Sequence, residues 1–434
     1  MKRLYVTDHG VVSDSHLVQT QAIQSAIDLA EETGAEICFP AGVYLTGTLD
    51  LHAVSVRLER GAVLQASEDL SDYRTNGYFH NEMGEVTSLL YSFRADGIKL
   101  YGEGTIDLRG DSFYDRDKPA LPALPRIPLT EAQRAECPYT CKGGRPNQPI
   151  FFYGAKNITV SGITILNAPC WTMSFIEAEN VHVTEVTIKG HPNVPNNDGM
   201  HFCCCNGVFV RGCNIDTADD CIALSAITDW NKPCENVVIS DCVLRSFSKT
   251  VSIGYMHSIV RNVTVTNCTI RDSNRGICIM ASAGSGLVEN VAVSNMTIDT
   301  RVRAGNWWGN GEPIFIMTTG HHNYVNAVPR TDVKYSVRNV IFSGIICHSE
   351  NAAGLIGVHK NITDIIFRDI VIHLKKSDNL ALKGRVFDIS PSEPAYTAPE
   401  NGENDILVAK EVEKLTVSNV YGYGINGEEG IIRS

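Results

Sequence analysis

The chain has 434 residues, 43% hydrophobic and 20% charged, with a formal net charge of 37 − 49 = −12. That length exceeds what one compact core usually serves, so a repeat whose units pack only on their neighbours is expected. The acidic balance argues against nucleic acid and anionic membrane as partners, and no apolar run approaches a membrane span.

Met1-Lys2-Arg3-Leu4 is basic, but no apolar stretch follows that is long enough for a signal peptide. There are 14 cysteines. The run Cys203-Cys204-Cys205 fits neither disulfide pairing nor metal-ligand spacing, and Cys213, Cys242, Cys268 and Cys347 lie inside apolar strand patterns. Small, buried, reduced thiols in a cytoplasmic protein are the expectation. Val18 to Glu32 reads as an amphipathic helix, with Val18, Ala22, Ile23, Ala26, Ile27 and Ala30 on one face and Gly34 as C-cap. Strands follow at Ile37–Tyr44 and Val54–Leu58. Residues 1–65 are thus read as an N-terminal cap, its helix covering the open end of a strand stack, together with the first turns.

Residues 111–148 are rich in proline and charge and read as a loop excursion, with a short helix near Thr130 to Ala135. Beyond Phe151 short β-branched segments recur, each opened by an asparagine: Asn157, Asn180, Asn206, Asn236, Asn262, Asn290, Asn339 and Asn361. The units alternate apolar and polar residues at period two. An asparagine at one corner of every turn suggests a side-chain ladder, since this residue tolerates left-handed backbone. The 49-residue step from Asn290 to Asn339 calls for an insertion or an unmarked turn. The expected fold is all-β, a parallel β-helix forming one domain over 1–434.

Within this repeat, Asn196-Asn197-Asp198-Gly199 precedes Asp219-Asp220 by about one turn. Alone, an Asp-Asp pair reads as a solvated loop. One turn apart, three carboxylates would crowd one patch, and at least one pKa should rise. A protonated acid beside ionised carboxylates is what glycoside hydrolysis needs. Adjacent Asp219 and Asp220 can share a site only where the backbone bulges or turns.

These motifs resemble glycoside hydrolase family 28, the polygalacturonase-like family. The resemblance runs from Arg145-Pro146 through Asn167-Ala168-Pro169-Cys170-Trp171 to about Asn295, and includes the segment Val6 to Gln65. It implies a right-handed β-helix and an inverting hydrolysis without metal or cofactor. Asp219 would be the general acid; Asp198 and Asp220 would activate water. The family's Gly-His-Gly segment appears as Ser248-Lys249-Thr250, with Lys249 in place of histidine and His257 out of register. Its Arg-x-Lys pair, which grips the galacturonate carboxylate, becomes Cys278 and Met280, with Arg275 three residues earlier.

Asn196, Lys249, His257, Arg275, Cys278, Met280, Arg303, Trp307, Trp308 and Glu312 are the candidate substrate contacts. The leading expectation is an exo-acting hydrolase of small oligosaccharides or plant-type glycosides, acting on a sugar other than galacturonate. Three alternatives stand beside it. One is an exo-polygalacturonase reading the carboxylate through Lys249, Arg301 or Arg303. Another is a calcium-dependent polysaccharide lyase. The third is a non-catalytic carbohydrate-binding β-helix. Self-association into a homo-oligomer stays open.

Overall fold

The computed structural model describes residues 2–120, 128–229, 231–281, 286–305, 307–318, 336–379 and 402–434. Its strands coil into a right-handed parallel β-helix. One face is a sheet of twelve described strands, from Leu49–Asp50 to Ile431–Arg433. Inward side chains meet their counterparts one turn away. The rings of Phe152, Phe175 and Phe202 stack at 5.3 and 5.0 Å between centroids. This stacking of like on like gives each turn a continuous core without a large hydrophobic cross-section.

The N-terminal helix spans Thr20–Thr33 and buries Ile23, Ala26, Ile27 and Ala30. It starts two residues later than its apolar periodicity, because Gln19 already bonds backbone-to-backbone with Leu45. Gly34 takes a left-handed φ of 63° and donates to the Ala30 and Glu31 carbonyls, closing the helix as a C-cap should.

The asparagine ladder exists, with two corrections. Asn157, Asn180, Asn236, Asn262, Asn290 and Asn339 all have φ between 52° and 60°. Asn180 donates to Asn157, Asn236 to Asn206, Asn262 to Asn236, Asn290 to Asn262 and Asn339 to Asn290, at 2.6–3.2 Å. At one turn the left-handed residue is Gly207, one place after Asn206. Asn361 is not a rung: Val340 pairs with Ile365, so Asp364 takes that corner, and Asn361 instead bonds Thr318 and Ser336. The 49-residue step is a single turn carrying an insertion, because Leu287–Thr300 pairs directly with Val337–Ser349.

Two excursions rise above the twelve-stranded face. Tyr114–Pro119 pairs antiparallel with Tyr139–Cys141, and between them lies the helix Glu131–Arg134, capped by Thr130 and Gln133. The second is a hairpin, Thr75–His80 with Gly84–Thr87. Its Tyr78 and Met83 lie on the outer side of the sheet against Phe151, Ile176 and Cys203. All fourteen cysteines are free thiols, and only Cys141 is exposed.

Candidate active site

The register of the twelve-stranded face explains how distant residues converge. Met200 pairs with Ile222, Ile222 with Val251, Val251 with Ile277, and Ile277 with Ile314. Two positions before each of these, in five successive turns, stand Asp198, Asp220, Lys249, Arg275 and Glu312. One turn earlier, Met173 pairs with Met200, and the same position is Trp171. Backbone bonds hold this column together: Gly199 donates to Asp220 O, Cys221 to Lys249 O and Gly276 to Glu312 O. Asp198 therefore aligns with Asp220, 220 − 198 = 22 residues on, rather than with Asp219. Asp219 belongs to the bend between Asn214–Thr217 and Ile222–Ser225, and this turning backbone is what lets both aspartates face the site. Gly199 is obligatory here, since a Cβ would lie 2.4 Å from the Cys221 carbonyl oxygen.

The bend is held from below. Asn197 Oδ1 accepts from the amides of Ala218 (2.7 Å) and Asp219 (3.3 Å), and its Nδ2 donates to His191 O at 2.8 Å. Thr217 and Ser246 hydroxyls donate to the Asp219 carbonyl at 2.6 and 2.8 Å. Arg145 donates to Asn196 Oδ1 (2.9 Å) and to Pro195 O (2.8 Å), fixing the loop that carries Asp198.

All three aspartates are buried, and one oxygen from each lies within 4.8 Å of the others. Lys249 Nζ sits 3.2 Å from Asp220 Oδ2, and Asp220 N donates to Asp219 Oδ1 at 3.0 Å. His201 Nε2 lies 2.9 Å from Asp198 Oδ2. Burial drives the His201 pKa down to about 3, so the ring is neutral, and its Nε2-protonated tautomer is the one that donates to the carboxylate. Trp171 stacks on that ring at 3.5 Å, and His80 meets Trp171 edge-on at 5.2 Å. Burial raises the Asp219 pKa well above the usual range, reinforced by Asp198 and Asp220. Asp198 is raised too, by burial first and Asp220 second, with Lys249 opposing. Burial disfavours the Lys249 charge, but Asp220 and smaller neighbouring effects more than offset it, and its pKa ends above that of an ordinary lysine.

A pocket of about 680 Å³, open mouth included, lies over these groups, lined also by Glu82, Asn196, Ser252, Tyr255 and Trp308. Of ten candidate contacts, Asn196, Lys249 and Trp308 line it; the other seven are placed elsewhere. Arg275 is buried and bonds Glu312 through two nitrogens at 2.9 and 3.1 Å, so each neutralises the other. Cys278 and Met280 are sealed in an apolar layer with Phe315, Met317 and Ile356, and do not form an exposed wall. His257 is buried outside the pocket. Arg303 lies 3.8 Å from the Phe247 ring and pairs with Asp272 at 2.8 Å. Trp307 packs edge-on against Phe247 and donates to Glu136 O at 2.7 Å. Arg303 and Trp307 thus anchor the 111–148 excursion, whose Glu136 also pairs with Arg301. Sequence reading missed Glu82, Trp171, His201 and Tyr255. His201 could have been found, because it lies three residues after Asp198 at the strand's outward phase.

A carboxyl cluster on neighbouring turns of a β-helix, roofed by a sugar-sized pocket, marks a carbohydrate-active protein. A profile of glycosyl hydrolases family 28 matches residues 32–383, and the chain belongs to that family; it is a glycoside hydrolase. It is 26% identical to a probable polygalacturonase of Vitis vinifera, over 97% of this chain and 86% of the relative. It is 24% identical to exopolygalacturonase B of Aspergillus niger, over 57% of this chain and 54% of that one. The fold matches a hyperthermoactive exopolygalacturonase from Thermotoga maritima with a TM-score of 0.67 at 20% identity, covering 86% of this chain and 87% of the other. A family 28 exopolygalacturonase from Yersinia enterocolitica matches with a TM-score of 0.62 at 17% identity, covering 96% and 78%.

Proposed function

We propose that the protein is an exo-acting, inverting glycoside hydrolase releasing a neutral terminal sugar from a small oligosaccharide or plant-type glycoside. Asp219 is the general acid. It feels the charge of both other aspartates, whereas Asp198 gains an N–H from His201 and Asp220 gains Lys249. The proton therefore resides on Asp219, which delivers it to the leaving oxygen. Asp198 and Asp220 together hold and deprotonate the attacking water. The separation of at most 4.8 Å between nearest oxygens is shorter than the roughly 6.5–9.5 Å usual between inverting carboxyls. Oxygens at the upper end of that separation are spanned by one hydrogen-bonded water, and product stereochemistry followed by NMR decides the point. An initially retained anomer would replace water activation with a covalent intermediate.

Exo action is supported by the hairpin Thr75–Thr87, which crosses the outer face and is tied to the far wall through Asn81 Nδ2, 2.7 Å from Ile227 O. On this reading the tie closes one end of the groove, so that the pocket takes a chain end. The neutral sugar rests on one observation. Lys249 is the only cationic side chain lining the pocket among the described residues, and it is engaged by Asp220. Arg275 and Arg303 are paired elsewhere, and Cys278 and Met280 bring no charge. A uronate carboxylate buried without a cation is strongly disfavoured.

The second reading, an exopolygalacturonase, is favoured by the names of the relatives and by Lys249 itself. Initial rates on digalacturonate against a panel of neutral glycosides separate the two. A preference for digalacturonate that disappears in Lys249→Ala would establish the second reading. A cytoplasmic site of action, supported by thirteen buried free thiols, is tested by fractionating the source cells.

A further inference from the structure

Of the two water-activating carboxylates, one is held by a cation and the other by a neutral ring. Lys249 Nζ lies 3.2 Å from Asp220, and His201 Nε2 lies 2.9 Å from Asp198. The His201 ring is 6% exposed, and among the described residues only Asp198 hydrogen-bonds it, so stacking sets its plane. Trp171 lies against the ring at 3.5 Å between centroids, with 8° between planes. The turn that carries Trp171 is fixed to the turn that carries Asp198. Thr172 N donates to Asp198 O at 2.8 Å, Met173 N donates to Gly199 O at 3.1 Å, and Ser174 pairs with His201. From the hairpin, His80 meets Trp171 edge-on at 5.2 Å, while its Nδ1 accepts from the Glu82 and Met83 amides at 3.2 and 3.3 Å. Hairpin, tryptophan, histidine and aspartate form one packed line, and a group locked by its neighbours in this way holds a reacting side chain to a narrow range of positions.

We infer that His201 is a positioning residue for the hydrolytic step: clamped by Trp171, it holds the Asp198 carboxylate toward the attacking water. This role rests on the reading of Asp198 as one of the two water-activating carboxylates. A neutral donor suits the task. It directs one N–H at the carboxylate and favours its charged form, without bringing the full charge that would strip the carboxylate of proton affinity. In the step itself the water O–H bond breaks and its proton passes to the aspartate pair. The water oxygen bonds to the anomeric carbon as Asp219 protonates the leaving oxygen. The titratable groups around this line are Asp198, Asp219, Asp220 and Lys249 in the pocket, Glu82 and His80 on the hairpin, Cys170 beside Trp171, and Cys203 two residues beyond His201.

The test uses the full chain with three variants. His201→Phe keeps a flat ring against Trp171 but has no N–H, His201→Leu is a second donor-free variant, and the amide of His201→Gln donates in place of Nε2. Rates are measured across pH on whichever of digalacturonate and the neutral glycosides the wild type turns over faster, with melting curves as a folding check. The donor-free variants should lower kcat at their pH optimum by about 10-fold or more, with KM within about 2-fold, as loss of a hydrogen bond to a charged reacting group requires. They should also move the acid limb of the pH–rate profile to higher pH, because Asp198 loses the donor that favours its charged form; a purely structural role for His201 would not move that limb. His201→Gln should recover much of the rate and bring the limb back toward the wild type. Folded donor-free variants whose acid limb stays in place, or whose loss is confined to KM, overturn the role of His201, as does a glutamine variant no better than they are. None of these results touches the reading of Asp198, which Asp198→Asn tests separately: a variant that keeps its activity removes that reading whatever the His201 variants do.

Discussion

Replacing Asp219 by asparagine tests the acid–base assignment most directly. Its nearest carboxylates lie within 4.8 Å. At an effective dielectric of about 20, one unit charge at that distance contributes at least ~3.5 kcal/mol of repulsion before Lys249 offsets part of it. Together with burial this holds the Asp219 pKa well above the usual carboxylate range. Asp219→Asn keeps the shape and removes the transferable proton. The expected loss is ~10²- to 10⁴-fold in kcat with a sugar leaving group. An activated aryl leaving group needs little protonation, so the loss there should be small and the basic limb of the pH–rate profile should vanish. Stability should move oppositely. Folding raises the Asp219 pKa, so its contribution is fully present below the unfolded value near pH ~4 and is lost as pH rises through the folded value. Asp219→Asn should therefore raise Tm at pH 7 and leave it nearly unchanged at pH 4. Steady-state kinetics on both leaving groups and calorimetry at both pH values suffice. Equal rate losses on the two substrates, or a lower Tm at pH 7, would refute the assignment.

Three other outcomes follow from the same geometry. Asp198→Asn and Asp220→Asn should slow both leaving-group classes alike, since water activation is needed in either case; a leaving-group dependence in one of them would identify it as the acid. Lys249→Met removes the charge that lowers the Asp198 and Asp219 pKa values, so the acid limb of the pH–rate profile should move to higher pH, and loss of the buried partner should cost about 3–5 kcal/mol measured by urea unfolding. Glu312→Ala removes the two-point carboxylate partner of the buried Arg275 and should cost a similar ~3–5 kcal/mol; if the preference between neutral glycosides and digalacturonate also changes, Arg275 touches substrate after all.

The repeat was legible because it is written in short-range terms: period-two alternation and an asparagine wherever the backbone turns left-handed. Asn206 and Asn361 misled because the corner needs a conformation, not a residue. Glycine meets the need at 207, and aspartate meets it at 364. The three aspartates were legible from motif and interval, but not their register, because the bend at Ala218-Asp219-Asp220 adds a residue that spacing cannot assign to one partner. The remaining contacts failed for a common reason. Arg275, Glu312, Arg303 and Trp307 carry the chemistry of ligand binding, yet each finds its partner within the protein through contacts 31 to 171 residues apart in sequence, and no local pattern encodes these. Glu82 escaped for the opposite reason: nothing in the hairpin sequence shows that its tip reaches a site formed more than a hundred residues later.

The tie between Asn81 and Ile227 would also govern traffic through the enzyme under the exo-acting proposal. On that proposal the pocket has a single door. A liberated sugar would sit behind the rest of the substrate and leave only after that remainder had backed out. Products would then depart in a compulsory order, the chain first and the monosaccharide last. Each turnover would end with complete disengagement, so a long substrate would be shortened by separate visits rather than by sliding forward. Free monosaccharide should accordingly compete with incoming substrate for the same door.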